Sequence, residues 1–324
     1  MNEFISSLIS SSAPLVLLLV AGICDRLGWR WLVMAIVAVL GVSELSIGFL
    51  GFASGVAASG GQAVIGIDSL IYILAGISAL ALLRTSWRLK IKNFVMARAG
   101  RDSLLDMAAL LLLLQALIIY VLPLALQQLP GFAPTPGEGQ TSSGGLVGLL
   151  LNSALFILAA AILVNAGFGR SLRQMLERLG WTRLSVGDVS WGLGVGLLAF
   201  AVSILLAMLG TIIDPGGAEV ARDYTGQIST AAGSMIGLAL AVALAGFAEE
   251  TLFRGAIQPR LGLMRTAALF AVLHVGYGLF SFAALGLFMV GVLMGLLRQR
   301  RGNTLAPAVA HAAYNLLIVL GMML

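Results

Sequence analysis

Ten apolar runs with few or no charges, each near the length a helix needs to cross a bilayer, constrain this chain more than anything else in it. They fall at 4–24, 31–53, 64–83, 104–127, 146–167, 189–213, 232–250, 266–280, 281–297 and 304–322, against about 20 residues for a helical crossing. Membrane strands would alternate polar and apolar residues instead. The expected fold is therefore an all-α polytopic transmembrane bundle of about ten spans. Only 10% of the 324 residues are charged, where a soluble domain carries roughly 25%. No connection exceeds 21 residues, and a folded soluble domain needs at least about 40 to 50, so any chemistry belongs within or at the edge of the bilayer. Cys24 is the only cysteine, which excludes an internal disulfide and a cysteine metal cluster. The first span has no basic residue before it and no small-residue cleavage site after it, so it reads as a span and not as a cleavable signal.

Assigning alternate connections to one side collects 18 of the 19 Lys and Arg residues there, with Arg222 alone opposite. Such a bias marks a cytoplasmic face and predicts both termini outside, in a multi-pass protein of a bacterial inner membrane. The net charge of +5 is thereby accounted for by the lipid bilayer, and no nucleic-acid partner is expected. Residues 266–297 hold no charge over 32 positions, about 48 Å as a single helix. Two short crossings fit better, loosened near Gly276, Gly278 and Ser281, with a re-entrant pair as the alternative. Two inside connections, Arg84 to Asp102 and Phe168 to Arg183, mix basic and apolar residues at helical spacing. They read as interfacial helices on an anionic lipid surface or, more simply, as positive-inside anchors. The Pro, Gly and Ser-rich stretch 130–144 reads as a flexible loop. The GxxxG spacings Gly51 with Gly55 and Gly291 with Gly295 signal close helix packing.

Ionisable residues within spans are costly and are functional candidates by default. They concentrate near the C-terminus: Glu249 and Glu250 close the seventh span, and the two histidines, His274 and His311, lie in the eighth and tenth. On this topology both imidazoles sit about 12 and 10 Å deep from the cytoplasmic side, the side from which the carboxylates also enter. Glu250 and Arg254 are i, i+4 and can pair, while Glu249 points about 100° away and stays free. His311 and Asn315 share a face, as do Phe270 and His274. These groups suit proton transfer: a carboxylate can polarise a water, an imidazole can return the proton, and a second imidazole with an amide can donate to an oxyanion. Glu44, Asp68 and Asp106 lack comparable partners in sequence and read as structural. No HExxH, GxSxG, Walker A or dinucleotide motif occurs.

The sequence Glu249, Glu250, Thr251, Leu252, Phe253, Arg254 resembles the EExxxR motif of the CPBP family (CAAX-processing and bacteriocin-processing proteins, also called Abi), which includes the type II CAAX prenyl endopeptidases. Phe270 to His274 is similar to that family's FxxxH motif and His311 to Asn315 to its HxxxN motif, led in by Arg301 to Pro307. Leu179, Gly180 and Trp181, with Asp188 and Gly192 to Gly196, give a weaker upstream likeness. The resemblance covers roughly residues 180–322. It divides the chain into N-terminal helices without a recognised motif, 1–179, and a protease-like core, 180–324. It implies endopeptidase cleavage in the membrane, with Glu249 and His274 activating water, His311 and Asn315 forming an oxyanion hole, and Glu250 with Arg254 orienting the site. The expected substrate is a membrane-embedded or lipidated protein or peptide. The family is described as metalloproteases, a point the residues leave open. A metal-free water is favoured here, and any Zn²⁺ would be held by Glu249, His274 and His311. Two other readings stand beside it: a non-catalytic scaffold or bacteriocin-immunity protein, and a proton-coupled transporter. Oligomeric state is not legible.

Overall fold

The computed structural model describes residues 2–58, 67–96, 103–126, 145–164, 169–231 and 234–322, and among them there are helices and no strand. In chain order these are α1 (Asn2–Leu27), α2 (Arg30–Ala58), α3 (Ile67–Leu83), α4 (Thr85–Val95) and α5 (Leu104–Leu126). Then follow α6 (Gly145–Leu163), α7 (Leu172–Leu179), α8 (Val186–Ile213) and α9 (Pro215–Ala231). Helix α10 runs from Met235–Glu250 through a π-helical turn, Thr251–Ile257, into Gln258–Leu261. The chain ends with α11 (Leu263–Leu273), α12 (Phe282–Arg301) and α13 (Leu305–Gly321).

The chain forms two compact units, Val16–Pro134 and the combination of Met1–Leu15 with Thr135–Leu324. Helices α6 and α7 thus share a unit with the motif-bearing helices, whereas the sequence division fell at 179. Within the N-terminal unit α2 and α3 meet through glycine: a Cβ on Gly76 would lie 2.6 Å from the Gly41 carbonyl oxygen. Helix α4 turns off α3 by 105°. Of the basic residues expected on its surface, Lys92 is buried and paired with Asp106 at 2.7 Å. Arg88 is buried too, donating to the Leu82 carbonyl at 2.7 Å. Asp106 therefore has a partner that sequence spacing did not offer. Trp87 and Phe94 remain exposed, as an interfacial helix requires. The 130–144 loop, with Arg98 and Arg101, lies outside the described residues.

In the C-terminal unit, small residues again set the packing. Gly192 and Gly196 of α8 lie against Val309 and the Ala310 carbonyl of α13, close approaches that replace the hydrophobic drive lipid cannot supply. Ala199, Val290, Met294, Leu297, Ala306 and Ala310 form a core between α8, α12 and α13. Gly291 faces Ala267 and Gly295 faces Leu263, an antiparallel register that returns α12 to the end where α11 began.

By length and composition six described helices can cross a membrane: Arg30–Ser54, Leu104–Leu126, Leu146–Leu163, Val186–Ile213, Ile236–Leu261 and Phe282–Arg301. The bent α3 and α4 pair would make a seventh. The expected eighth span differs most from its sequence reading. Its helix, α11, has 11 residues, about 16 Å or half a hydrocarbon core. It stops at Leu273, and the chain continues through a 3-10 turn, Val275–Tyr277, to Gly278 at φ 87°, a backbone conformation that glycine adopts without strain. The expected 232–250 span is longer than its apolar run, because the π turn carries the helix past Glu250 and Arg254 to Leu261.

Candidate functional site

Three helices bring the intramembrane ionisable residues together. Glu250, with no exposed surface, is the hub: its Oε2 lies 3.1 Å from Arg254 Nε, and its Oε1 accepts from His311 Nδ1 at 2.9 Å. The Arg254 pair is close but off-line for a hydrogen bond. Arg254 Nη2 donates to the Gly291 carbonyl at 3.3 Å, which ties the pair to α12. Phe270 forms the wall between these groups, with its ring 5.1 Å from the Arg254 guanidinium carbon and 4.4 and 5.8 Å from the His274 and His311 rings. The Glu250 to Arg254 pairing was readable from spacing. The second bond of the same carboxylate, to His311, was not.

Glu249 is rotated away from this pair, as the 100° per residue of a helix dictates. Its Oε2 lies 3.8 Å from His274 Nε2 and 3.9 Å from His311 Nε2, and that oxygen is buried without a hydrogen-bond partner. The tautomers follow from the other ring nitrogens. His274 Nδ1 faces the Phe270 carbonyl at 2.7 Å, an acceptor, so Nδ1 carries the proton and the neutral ring presents its Nε2 lone pair. His311 Nδ1 faces the Glu250 carboxylate, with the same consequence. Both lone pairs therefore converge on Glu249. His311 can donate from Nε2 only as an imidazolium, for which Glu250 is the counter-charge. Asn315 lies one turn on, but its Nδ2 donates to the Val242 carbonyl at 2.8 Å, leaving one amide hydrogen uncommitted.

The metal question can be put to this geometry. A carboxylate oxygen and two imidazole lone pairs are the right donor types for zinc. With bonds near 2.1 Å, tetrahedral ligands stand about 3.4 Å apart, and here both nitrogens are farther from Glu249. No described group of three His, Cys, Asp or Glu side chains is arranged to hold an ion. The set as it stands does not fit, and no step is routed through a metal.

Several supporting residues were not among the candidates. Thr251 Oγ1 donates to the Phe247 carbonyl at 2.8 Å and accepts from Trp181 Nε1 at 3.2 Å, and the Trp181 ring lies 5.1 Å from that of Phe247. Gly246 lets α10 approach the imidazole, since a Cβ there would sit 3.1 Å from His311 Cγ. The signal available was Leu179, Gly180 and Trp181, which resembled the family only weakly. Tyr277 packs edge-on against Tyr224 of α9 at 4.8 Å, over Gly276, where a Cβ would meet the Tyr224 ring.

Residues 231–317 match the model of the family described as Type II CAAX prenyl endopeptidase Rce1-like. That window contains Glu249, Glu250, Arg254, His274, His311 and Asn315. The match supports the resemblance to CPBP and CAAX proteases and points to a protease that is an integral, multi-pass membrane protein. A stretch of 68 residues is 37% identical to the uncharacterized protein YpbD of Bacillus subtilis (strain 168), covering 21% of this chain and 36% of that protein. The chain thus spans about a third of the length of that curated relative. No solved structure matches the chain.

Proposed function

We propose that the chain is an intramembrane endopeptidase that hydrolyses a peptide bond of a membrane-embedded or lipidated protein by an activated water. The observation that carries this is the buried, unpartnered Glu249 Oε2 between two imidazole Nε2 atoms at 3.8 and 3.9 Å. Gaps of that length are too long for hydrogen bonds and are the kind a water bridges. Glu249 takes a proton from the water as its oxygen attacks the carbonyl carbon. His311, as imidazolium, and the free Asn315 N–H stabilise the oxyanion. When the C–N bond breaks, Glu249 returns that proton to the leaving amine, directly or through His274, giving a carboxylic acid and an amine. Glu250 and Arg254 hold His311 in orientation.

Comparative proteomics of cells carrying wild-type or Glu249→Gln protein is the direct test. A membrane-associated protein that accumulates uncleaved only in the variant supports the reading; identical proteomes and identical turnover of model substrates by the purified proteins reject it. We further propose that the site opens to the cytoplasmic leaflet of a bacterial inner membrane. In a Cys24→Ser background, Arg300→Cys should label only from inside and Gly216→Cys only from outside. The reverse pattern refutes this orientation. No required metal is part of the proposal: activity should survive exhaustive chelation. Stoichiometric zinc in the purified protein, with activity lost on its removal and regained on its return, would make Glu249, His274 and His311 ligands.

A further inference from the structure

At the end of the C-terminal unit where α7 stops and α12 ends, two guanidinium groups have no counter-charge among the described residues. Arg298, half-buried in the last turn of α12, lies on the backbone of Gly180, where an added Cβ would come 2.7 Å from its Nη2. Its Nε is buried without a hydrogen-bond partner. Another cation, Arg178, stands in the last turn of α7, two residues before that Gly180. Both carboxylates of this end are committed elsewhere. Glu177 pairs with Arg173 at 2.9 Å, and Asp188 accepts from Arg301, Asn303 and Ser185. Like charges held together without a counter-ion repel each other, so an arrangement of this kind calls for an external anion. Two guanidinium forks suit a phosphate better than any other common anion.

The surroundings say where that phosphate comes from. Leu172, Leu184 and Val186 are 69%, 48% and 84% exposed around this end, and Arg300 lies over the Trp191 ring at 4.6 Å. Exposed aliphatic side chains among arginines, with an indole one turn into α8, make a membrane-interface surface. We propose that Arg178 and Arg298 bind the phosphate of an anionic phospholipid headgroup and that this binding steadies the site described above. The second half rests on the protease reading; the binding does not.

The coupling is direct. The Leu179 carbonyl accepts from Thr304 Oγ1 and the Gly180 carbonyl accepts from Thr304 N at 2.9 Å, just before the helix that carries His311. The Leu179 carbonyl also abuts Gly255 of the π turn, and Trp181 donates to Thr251. The three residues after Arg178 thus clamp two of the three site-bearing helices, α10 and α13, and a headgroup bridging Arg178 to Arg298 locks that clamp.

The full-length protein is reconstituted in discs of phosphatidylcholine, alone or mixed with phosphatidylglycerol, and the phosphatidylglycerol retained per chain after re-extraction is counted. Wild type and Glu249→Gln should retain it equally. Arg178→Gln alone, at an exposed position where folding is not at risk, should lower retention about fivefold, and Arg178→Gln with Arg298→Gln further. Arg222→Gln, at the opposite end, should change nothing. Equal retention by all variants overturns the site. Turnover of a membrane-anchored model peptide should rise with phosphatidylglycerol in wild type and not in the double variant. A matching rise with inorganic phosphate in phosphatidylcholine discs overturns the lipid assignment. Retention without any rise in turnover overturns the coupling, provided wild type cleaves the peptide. Should no lipid give cleavage, the protease reading falls, and retention alone still decides the site.

Discussion

Lys92 with Asp106 in the N-terminal unit and Glu250 with Arg254 in the C-terminal unit are both ion pairs with a buried cation, and they differ in what stands beside them. Asp106 meets Lys92 at 2.7 Å and its backbone N–H is capped by Ser103, and the neighbouring acid, Asp25, is itself occupied, accepting from Leu104 N at 3.2 Å. Glu250 serves Arg254 and His311 at once, and next to it Glu249 keeps an unpartnered oxygen facing two imidazoles. A buried charge is therefore weak grounds for assigning a site. Unused hydrogen-bonding capacity in a place that is poorly hydrated is stronger, because leaving it unmade costs free energy unless a function retains it.

The largest expected effect separates the two units outright. Glu249→Gln and His274→Ala should each lower turnover of a model substrate at least about 100-fold while the protein remains folded and inserted. Asp106→Asn should leave turnover per folded molecule unchanged. A Glu249→Gln protein with wild-type turnover, or an Asp106→Asn protein as inactive as Glu249→Gln, erases the distinction.

Removing the cation from either pair strands a poorly solvated carboxylate, so the second expectation is one on which the units agree in stability and part in activity. Arg254→Ala and Lys92→Ala should each lose about 3–5 kcal/mol in reversible unfolding in mixed micelles. Only Arg254→Ala should also lose activity in the surviving folded fraction, because Glu250 then no longer holds His311 between fixed partners. An Arg254→Ala protein as stable as wild type would show that the pair contributes nothing, and the orienting role would go with it.

What the sequence conveys about these sites depends on distance along the chain. Glu250 and Arg254 were legible because helix periodicity puts i and i+4 on one face, and Glu249 was legible as the free acid for the same reason. Lys92 and Asp106 are 14 residues apart on two separate helices, α4 and α5, and helix periodicity does not carry from one helix to the next. The His311 bond to Glu250 was hidden because a carboxylate already assigned to one partner has a second oxygen to offer. His274 was read beside an aromatic wall, and its orientation comes from the Phe270 backbone carbonyl as well as from that ring. The half-length α11 was visible only as glycine in an apolar run. Hydropathy counts residues in the bilayer, and it does not say whether they continue a helix.

The smallest expected effect tests how tightly each unit is packed around its polar groups. A Cβ on Gly76 would come 2.6 Å from the Gly41 carbonyl oxygen and 2.9 Å from Leu45 N. Backbone cannot yield there without parting α2 from α3, so Gly76→Ala should cost about 1–3 kcal/mol of stability with turnover per folded molecule unchanged. A Cβ on Gly246 would meet only a side chain, His311, at 3.1 Å from Cγ and 3.3 Å from Cβ and Cδ2. The imidazole can move by a few tenths of an ångström, and the added methyl favours the helix, so stability should hardly change. The shift would instead move Nε2 off its line to Glu249, and since displacement by 1 Å can cost about 100-fold, Gly246→Ala should lower kcat by about threefold to tenfold. Thermal midpoints measured alongside kcat separate the two outcomes. A Gly246→Ala protein with unchanged kcat means that His311 has slack, and in that case its distance to Glu249 is not a constraint the enzyme uses.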